Sequence, residues 1–173
     1  VAVTPNRPDC FGVNGIARDV AAAQIGHRKF KTYEVVGGKG EPEPKVVVEK
    51  DSGCQLFWRR RISDVRNGPS PDWLQQRLKA VGLRPISALV DITNYFSIDQ
   101  ARPLHVYDVS KLRGDIVVRR SRKGDRFLAL NGKEYEPTPE DCVISDESGA
   151  IGFGGVIGGE TTGVDENTTE VLL

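Results

Sequence analysis

The chain contains no methionine, and this absence is the first indication of its organisation. Its 173 residues begin at Val1 without an initiator Met and stop at Leu173 without a cap or tail. A chain of this length buries roughly two-thirds of its unfolded surface, which suits one domain or two small lobes. We expect residues 1–173 to be one piece of a longer protein.

Cysteine is scarce, and catalytic serine motifs are missing. The three cysteines (Cys10, Cys54 and Cys142) include no C-x-x-C pair, which argues against a disulfide framework and against a zinc site. We interpret them as buried free thiols in a reducing cytoplasm. No serine lies in a G-x-S-x-G context, so a serine-hydrolase triad is not supported.

Neither sign of charge dominates, and long apolar runs are absent. With 24 basic and 24 acidic side chains, the net charge is zero, so no global field draws the chain to nucleic acid or membrane. The apolar stretches are too short to span a bilayer, and we expect a cytoplasmic protein without a membrane partner. The basic residues are scattered and favour a solvated surface. The alternative is that these basic residues lie on one face of the protein and follow an RNA backbone.

The residues that are present predict short helices and many short strands. Helices are predicted over residues 13–24, capped by Asn14, and over residues 71–82. Strands are predicted at residues 46–48, 56–65, 86–92, 116–120, 127–130, 142–145 and 171–173. Non-alternating strands with few helices favour an α+β fold over a doubly wound sheet.

Three further features of the pattern carry structural predictions. Residues 37–44 are rich in glycine and proline and predict a flexible linker. Asn131-Gly132 is a hairpin signal. Trp58 and Trp73 are expected in the core rather than on the surface as stacking platforms.

A candidate site lies where the apolar run 86–92 gives way to polar residues. If that run is a buried strand, Thr93 and Asn94 lie at the strand end, and His105 returns beside them on the loop after Pro103. The chain has two histidines, and His27 has the sequence context of a solvated helix end. A lone histidine is usually structural, but this context favours a functional role for His105.

The glycine cluster between residues 151 and 163 is the second informative feature. Its six glycines permit positive φ angles and close approach of a ligand to the backbone. The cluster is neither a Walker loop nor a dinucleotide fingerprint. A tight turn between strands is the alternative. With Thr93, Asn94 and His105, it is predicted to form the second wall of one pocket.

Carboxylates are weaker candidates. Asp91 is expected to orient the strand end and Asp108 to start a turn, while a catalytic pair formed by these residues, or one including Glu170, stays open as the alternative.

Several motifs in order resemble the bacterial phenylalanyl-tRNA synthetase beta-subunit family. The strongest is Val90–Tyr95 followed by Gln100–Asp108, which resembles that family's V-D-I-T-N-Y and Q-P-L-H-A-F-D segments. The other matching segments are Val3–Cys10, Gly15–Ala21, Gly68–Leu74, Val81–Ile86 and Phe153–Gly159. The likeness extends over nearly the whole chain.

The resemblance implies a fold and a site. The implied fold is an α+β module of mixed sheets with a helical layer, similar to a three-layer sandwich, with residues 1–173 as a single editing and tRNA-interaction module of a longer beta subunit. The implied activity is hydrolysis of mischarged tyrosyl-tRNA(Phe). The implied catalytic residues are His105, Asn94 and Thr93, and the implied substrate-binding residues are Pro103, Gly155 and Gly158.

The resemblance also implies partners and leaves alternatives. tRNA(Phe) and a synthetase alpha subunit, in an α2β2 enzyme, are the implied partners. ATP and Mg²⁺ are implied for the parent enzyme, with no cofactor and no metal in this module. A non-catalytic scaffold that binds tRNA or the other subunit is the main alternative. An unrelated RNA- or protein-binding domain is disfavoured by the zero net charge and the lack of RNA-motif aromatics.

Overall fold

The chain folds into two units, each assembled from two separate segments. The structure is a computed structural model, and it describes residues 2–29, 32–40 and 43–173. The helical unit comprises Val1–Gly40 and Pro69–Leu104, and the sheet unit comprises Glu41–Gly68 and His105–Leu173. The predicted linker at 37–44 includes residues 41 and 42, which lie outside the described residues, and it stays a prediction.

The helical unit is built on three α-helices within its described residues. They are α1 (Val13–Ala22), α2 (Asp72–Ala80) and α3 (Ala88–Gln100), with a 3-10 turn at Pro8–Phe11. Helices α1 and α2 both pack against α3. In α2 the buried side chains Leu74 and Leu78 are one turn apart, as an amphipathic helix requires.

The two helices predicted from periodicity are confirmed, but the predicted cap of α1 is wrong. The N-cap position of α1 is Gly12, in extended conformation. The Asn14 side chain bonds elsewhere: its Nδ2 donates to Gln100 Oε1 at 2.7 Å, and its Oδ1 accepts from Arg28 at 2.6 Å. Asn14 therefore ties α1 to other segments of the unit instead of satisfying its first turn.

The strand predicted at residues 86–92 is wrong, because this region enters helix α3. A short apolar run does not distinguish a buried strand from a buried helix by periodicity. The buried carboxylate of Asp91 accepts hydrogen bonds from Ser70 Oγ at 2.5 Å and from the backbone N–H of Ile86 at 2.9 Å. These tertiary bonds fix the start of α3. Thr93 and Asn94 therefore lie within a helix and not at a strand end.

The sheet unit is built from short strands, which are β1 (Val46–Val48), β2 (Arg61–Ser63), β3 (Tyr107–Asp108), β4 (Ile116–Arg120), β5 (Phe127–Leu128), β6 (Glu134–Tyr135), β7 (Cys142–Asp146), β8 (Gly149–Phe153), β9 (Ile157–Gly158) and β10 (Glu170–Leu172). They form a five-stranded mixed sheet in the order β1-β4-β7-β8-β9, a three-stranded antiparallel sheet in the order β2-β10-β3, and the ribbon β5-β6. Strand β1 is parallel to β4, and the other pairs of the larger sheet are antiparallel.

Two apolar clusters stabilise the sheet unit, and strand β7 contributes to both. Alternate residues of a strand point to opposite faces, so Ile144 enters one cluster and Val143 the other. The first cluster contains Tyr107, Ile116, Val118, Ile144, Ile151 and Leu172. The second contains Phe127, Ala129, Val143 and Ala150. Both clusters hold the strands that carry the glycine segment.

Most predicted strands of the sheet unit are confirmed, with shorter bounds in places. Of residues 56–65, only Arg61–Ser63 form a strand, paired with β10. The hairpin signal is confirmed: Gly132 adopts φ +75° between β5 and β6. That positive φ favours glycine.

The expectation that both tryptophans belong to the core is wrong. Trp58 is 81% exposed, because alternation along an extended segment directs Phe57 to the first cluster and Trp58 outward. Trp73 is 53% exposed and lies edge-to-face with Tyr95, under the guanidinium of Arg77. Both rings are available to a partner.

Helices and mixed sheets confirm the predicted α+β class. None of the helices in residues 2–29, 32–40 and 43–173 has the length and apolar character needed to cross a membrane.

Candidate functional site

His105 is placed by the segment that leads into β3, in the sheet unit. Its ring lies 4.5 Å from the ring of Tyr107 in an edge-to-face arrangement. On the other side it lies directly against the α-carbon of Gly158 in β9, where an added β-carbon would overlap ring atoms Cε1 and Nε2. The structure therefore brings together two of the predicted site residues, His105 and Gly158, across about fifty positions of sequence.

The imidazole of His105 is electrostatically isolated. Its Nε2 is buried and has no hydrogen-bond partner among the described residues. Burial lowers the pKa of His105 below its ordinary value, because the charged form loses hydration there. The ring is therefore a neutral imidazole at physiological pH, with one nitrogen able to donate and the other able to accept. A buried polar atom without a partner is costly unless a ligand or water completes it.

The glycine segment supplies space in two different ways. Gly155 adopts φ +75° in the turn between β8 and β9, and nothing lies near the position of its absent side chain. Gly158 lies in β9 opposite Gly152, and its missing side chain leaves room for the His105 ring. The carbonyl of Gly158 accepts a hydrogen bond from the backbone N–H of Leu130 at 3.1 Å. The tight turn is therefore observed at Gly155, Gly158 admits a side chain of the protein itself, and a ligand cradle stays a prediction.

Thr93, Asn94 and Pro103 belong to the helical unit. Thr93 is buried in α3, and its hydroxyl donates to the carbonyl of Val90 at 2.7 Å. A hydroxyl whose proton is used in this way presents a ligand with an acceptor only. Asn94 is the next residue of α3 and is half-buried, while Pro103 is exposed after the helix ends.

The carboxylates have structural partners. Burial alone would raise the pKa of Asp108, but hydrogen bonds from Ser110 and Thr168 and the nearby Lys111 ammonium hold it below its usual range. Asp108 caps the short 3-10 turn Val109–Lys111, as its predicted turn role requires. Glu170 forms a bidentate pair with Arg61, with both distances 2.7 Å. Asp91 holds α3 and does not orient a strand end.

All three cysteines are free; Cys10 is buried, whereas Cys54 and Cys142 are only partly buried. The Cys10 thiol lies with Asp9 and Asp19 at spacings that suit a metal ion. The guanidinium of Arg7 already bonds both carboxylates at 2.8–3.0 Å. Burial and a hydrogen bond to Asp19 raise the pKa of the thiol, which disfavours the thiolate that a metal would need. The cluster is accounted for as an ion-pair network.

Tyr107 belongs to this site, although the residues predicted from the sequence do not include it. Its spacing is a signal for this role, since residues two apart on an extended segment share a face, and Tyr107 follows His105 by two. Its ring is 3% exposed and forms part of the first apolar cluster, so it fixes one side of the imidazole.

Comparison with known proteins identifies the family. A family profile described as the B3/4 domain matches residues 53–173. The chain is 54% identical over its whole length to the phenylalanine–tRNA ligase beta subunit of Mesorhizobium japonicum, and 53% identical to that of Bradyrhizobium diazoefficiens. It spans 22% of the length of each of these relatives.

A solved structure agrees in fold. The chain matches an N-terminal fragment of the phenylalanyl-tRNA synthetase beta subunit from Pyrococcus horikoshii with a TM-score of 0.51 and 17% identity, over 96% of this chain and 51% of that one. The chain belongs to the B3/4 domain family, in the form found in phenylalanine–tRNA ligase beta subunits.

Proposed function

We propose that this chain is an editing module: it hydrolyses tyrosine wrongly attached to tRNA(Phe), within an enzyme that attaches phenylalanine to tRNA(Phe). The support is its membership of the B3/4 family together with the buried, unpartnered His105 against Gly158. ATP and Mg²⁺ would serve the attachment reaction of the parent enzyme, whose partners would be tRNA(Phe) and an alpha subunit.

The need for such a module follows from the limits of a synthetic pocket. A pocket shaped for phenylalanine only weakly rejects an analogue that adds one hydroxyl, so fidelity requires a second, hydrolytic site. That site must accept tyrosine and refuse the smaller phenylalanine, which a size limit does not achieve. Hydrogen bonds to the phenol achieve it, because phenylalanine would leave the buried polar groups of the site unpaired.

The observation that carries the proposal is the His105–Gly158 contact. A neutral imidazole with an unpaired, buried Nε2 is suited to hold a water molecule or a substrate hydroxyl by one hydrogen bond. Water then attacks the ester carbonyl and gives up a proton, the bond to the ribose oxygen breaks, and the ribose oxygen takes up a proton, so that free tyrosine and a ribose hydroxyl result. An aminoacyl ester is reactive enough that a positioned water and electrostatic support suffice.

The remaining site residues take roles implied by the resemblance. Thr93 and Asn94 would hold the amino-acid and adenosine end of the substrate. The Thr93 hydroxyl is committed as a donor within α3, so it suits the donor groups of a substrate, such as an ammonium. Pro103 would shape the wall near the ester, and Gly155 would leave room for the tyrosine ring.

The test is a substitution that displaces the imidazole. Gly158→Ala in the full-length beta subunit of the complete ligase should reduce single-turnover deacylation of tyrosyl-tRNA(Phe) by roughly 2- to 13-fold, because the added β-carbon displaces the imidazole and one hydrogen bond is lost. Gly158→Trp should abolish it. Gly68→Ala is the matched control, because a β-carbon there meets nothing within 4 Å, and it should leave deacylation unchanged.

The competing function is a non-catalytic scaffold that binds tRNA or the other subunit. The exposed ring of Trp58 is the observation that favours it. Normal deacylation by a folded Gly158→Trp enzyme, checked by circular dichroism and thermal melting, would refute the editing site at His105 and leave the scaffold role.

A further inference from the structure

Basic side chains converge on two adjoining cavities of the helical unit. The first cavity, of about 380 Å³, is lined by Arg18, Arg28 and Arg102, with Asp9 as its acidic residue. The second, of about 310 Å³, is lined by His27, Arg28 and Lys29, with Asp99 as its acidic residue. Arg28 lines both. In a chain of zero net charge, this is a local concentration of positive charge.

Arg28 is held at the junction of the two cavities by a chain of hydrogen bonds. Its guanidinium donates to Asn14 Oδ1 at 2.6 Å, and Asn14 Nδ2 donates to Gln100 Oε1 at 2.7 Å. Asn14 and Gln100 also line both cavities. The junction is therefore built from α1, from the segment that follows it, and from the end of α3.

Arg102 is the wall arginine with the fewest partners. Helix α3 ends at Gln100, and its C-cap Ala101 has a left-handed φ of +51° that turns the backbone out of the helix just before Arg102. The Arg102 side chain is exposed, and no ion pair or hydrogen bond joins it to another described residue. Arg18, in contrast, is paired with Asp9 and Asp19. Arg102 therefore offers its donors to a ligand.

We propose that these two cavities bind successive phosphate groups of an RNA backbone. Guanidinium groups match phosphate oxygens in bidentate geometry, which suits the wall around Arg102 and Arg28. Two basic cavities that share one arginine suit a polyanion that continues from one to the next better than a single small ion. Backbone contact needs positive charge without any base code. That the RNA is tRNA(Phe) rests on the proposed function, whereas the phosphate chemistry does not.

The test is the salt dependence of tRNA binding by the complete ligase. Removing one phosphate contact lowers the slope of log K against log salt by about 0.9, which corresponds to a loss of about 5- to 10-fold in affinity near 0.1 M salt. Arg102→Ala should show both changes, and Arg102→Lys should retain most of the affinity. Arg66→Ala is the control, an exposed arginine of the sheet unit outside both cavities.

Two further arms make the outcome decisive. Inorganic phosphate and ATP are titrated as competitors of tRNA. Suppose that either of them binds in an Arg102-dependent manner, while the tRNA affinity and the salt slope of Arg102→Ala match those of Arg66→Ala. The cavities then hold small anions, and the RNA proposal is overturned. The RNA proposal is also overturned if Arg102→Ala leaves the salt slope of tRNA binding unchanged and neither phosphate nor ATP competes. Deacylation at saturating enzyme reports editing independently of affinity, so failure of the editing proposal is distinguishable from failure of this one.

Discussion

We predict that His105 holds a water or a substrate group by one hydrogen bond and is not an indispensable base. No acidic side chain among the described residues bonds its ring, which contacts Tyr107 and Gly158. A positioned general base contributes about 100- to 10,000-fold, whereas one neutral hydrogen bond contributes about 0.5–1.5 kcal/mol, or roughly 2- to 13-fold. His105→Ala in the complete ligase should therefore reduce single-turnover tyrosyl-tRNA deacylation by about that smaller factor.

The control for this variant is Arg66→Ala, which removes an exposed side chain of the sheet unit and should leave deacylation unchanged. A loss beyond about a thousandfold with His105→Ala, in an enzyme that melts normally, would make His105 an essential base instead.

The protonation of His105 gives a second prediction at the same scale. Burial lowers its pKa, so the unfolded chain binds this proton more readily than the folded one. Between the two pKa values stability rises with pH, and acidification below about 6.5, the ordinary value, should therefore destabilise the fold until the folded-state pKa is passed. In a ¹³C-histidine NMR titration, the signal of His105 is the one that disappears in the His105→Gln variant. Its titration midpoint in the wild-type protein should lie below about 6.5. A midpoint at or above it would contradict the burial argument.

At the scale of elements, the anchoring of α3 is testable through Asp91. Asp91→Ala removes the acceptor of the buried Ser70 hydroxyl and of the N–H of Ile86, a residue that is 70% exposed. An unsatisfied buried donor costs about 1–3 kcal/mol, and water can complete the exposed one, so the variant should lose about 1–3 kcal/mol of unfolding free energy in urea denaturation. Asp72→Ala, an exposed first-turn acid of α2, should lose less than about 1 kcal/mol. If Asp91→Ala and Asp72→Ala lose the same unfolding free energy, Asp91 does not anchor α3.

Elements differ in how far sequence predicts them, for a physical reason. Helices α1 and α2 and strands β1, β4 and β7 follow from local periodicity, and each lies where its pattern predicts. Helix α3 does not, because its first residues form an apolar run compatible with either state. What selects the helix is the bonding of Asp91 to Ser70, a contact between residues 21 positions apart.

The same limit governs the candidate site. Composition and spacing predict that His105 and the glycine cluster share one pocket, but only the three-dimensional structure shows that the ring fits against Gly158. The core prediction for Trp58 is wrong because a tryptophan is apolar enough for the core, whereas the direction of its side chain depends on alternation along the extended segment. The roles of Thr93 and Asn94 come from family resemblance and stay predictions.

At the scale of the whole enzyme, the chain accounts for about a fifth of its relatives' length, 22%, and we propose that editing and attachment are separable. Gly158→Trp should leave phenylalanine attachment within about twofold of wild type, because that reaction would use residues outside this chain, while tyrosyl-tRNA(Phe) accumulates in steady state. The wild-type enzyme should hydrolyse tyrosyl-tRNA(Phe) faster than phenylalanyl-tRNA(Phe) by about 10- to 100-fold, the cost of leaving one or two buried polar groups unpaired. Both rates come from the same quenched-flow assay, with Gly68→Ala as control. If the variant loses attachment and hydrolysis together while remaining folded, the two activities share this site and the separate editing module is refuted.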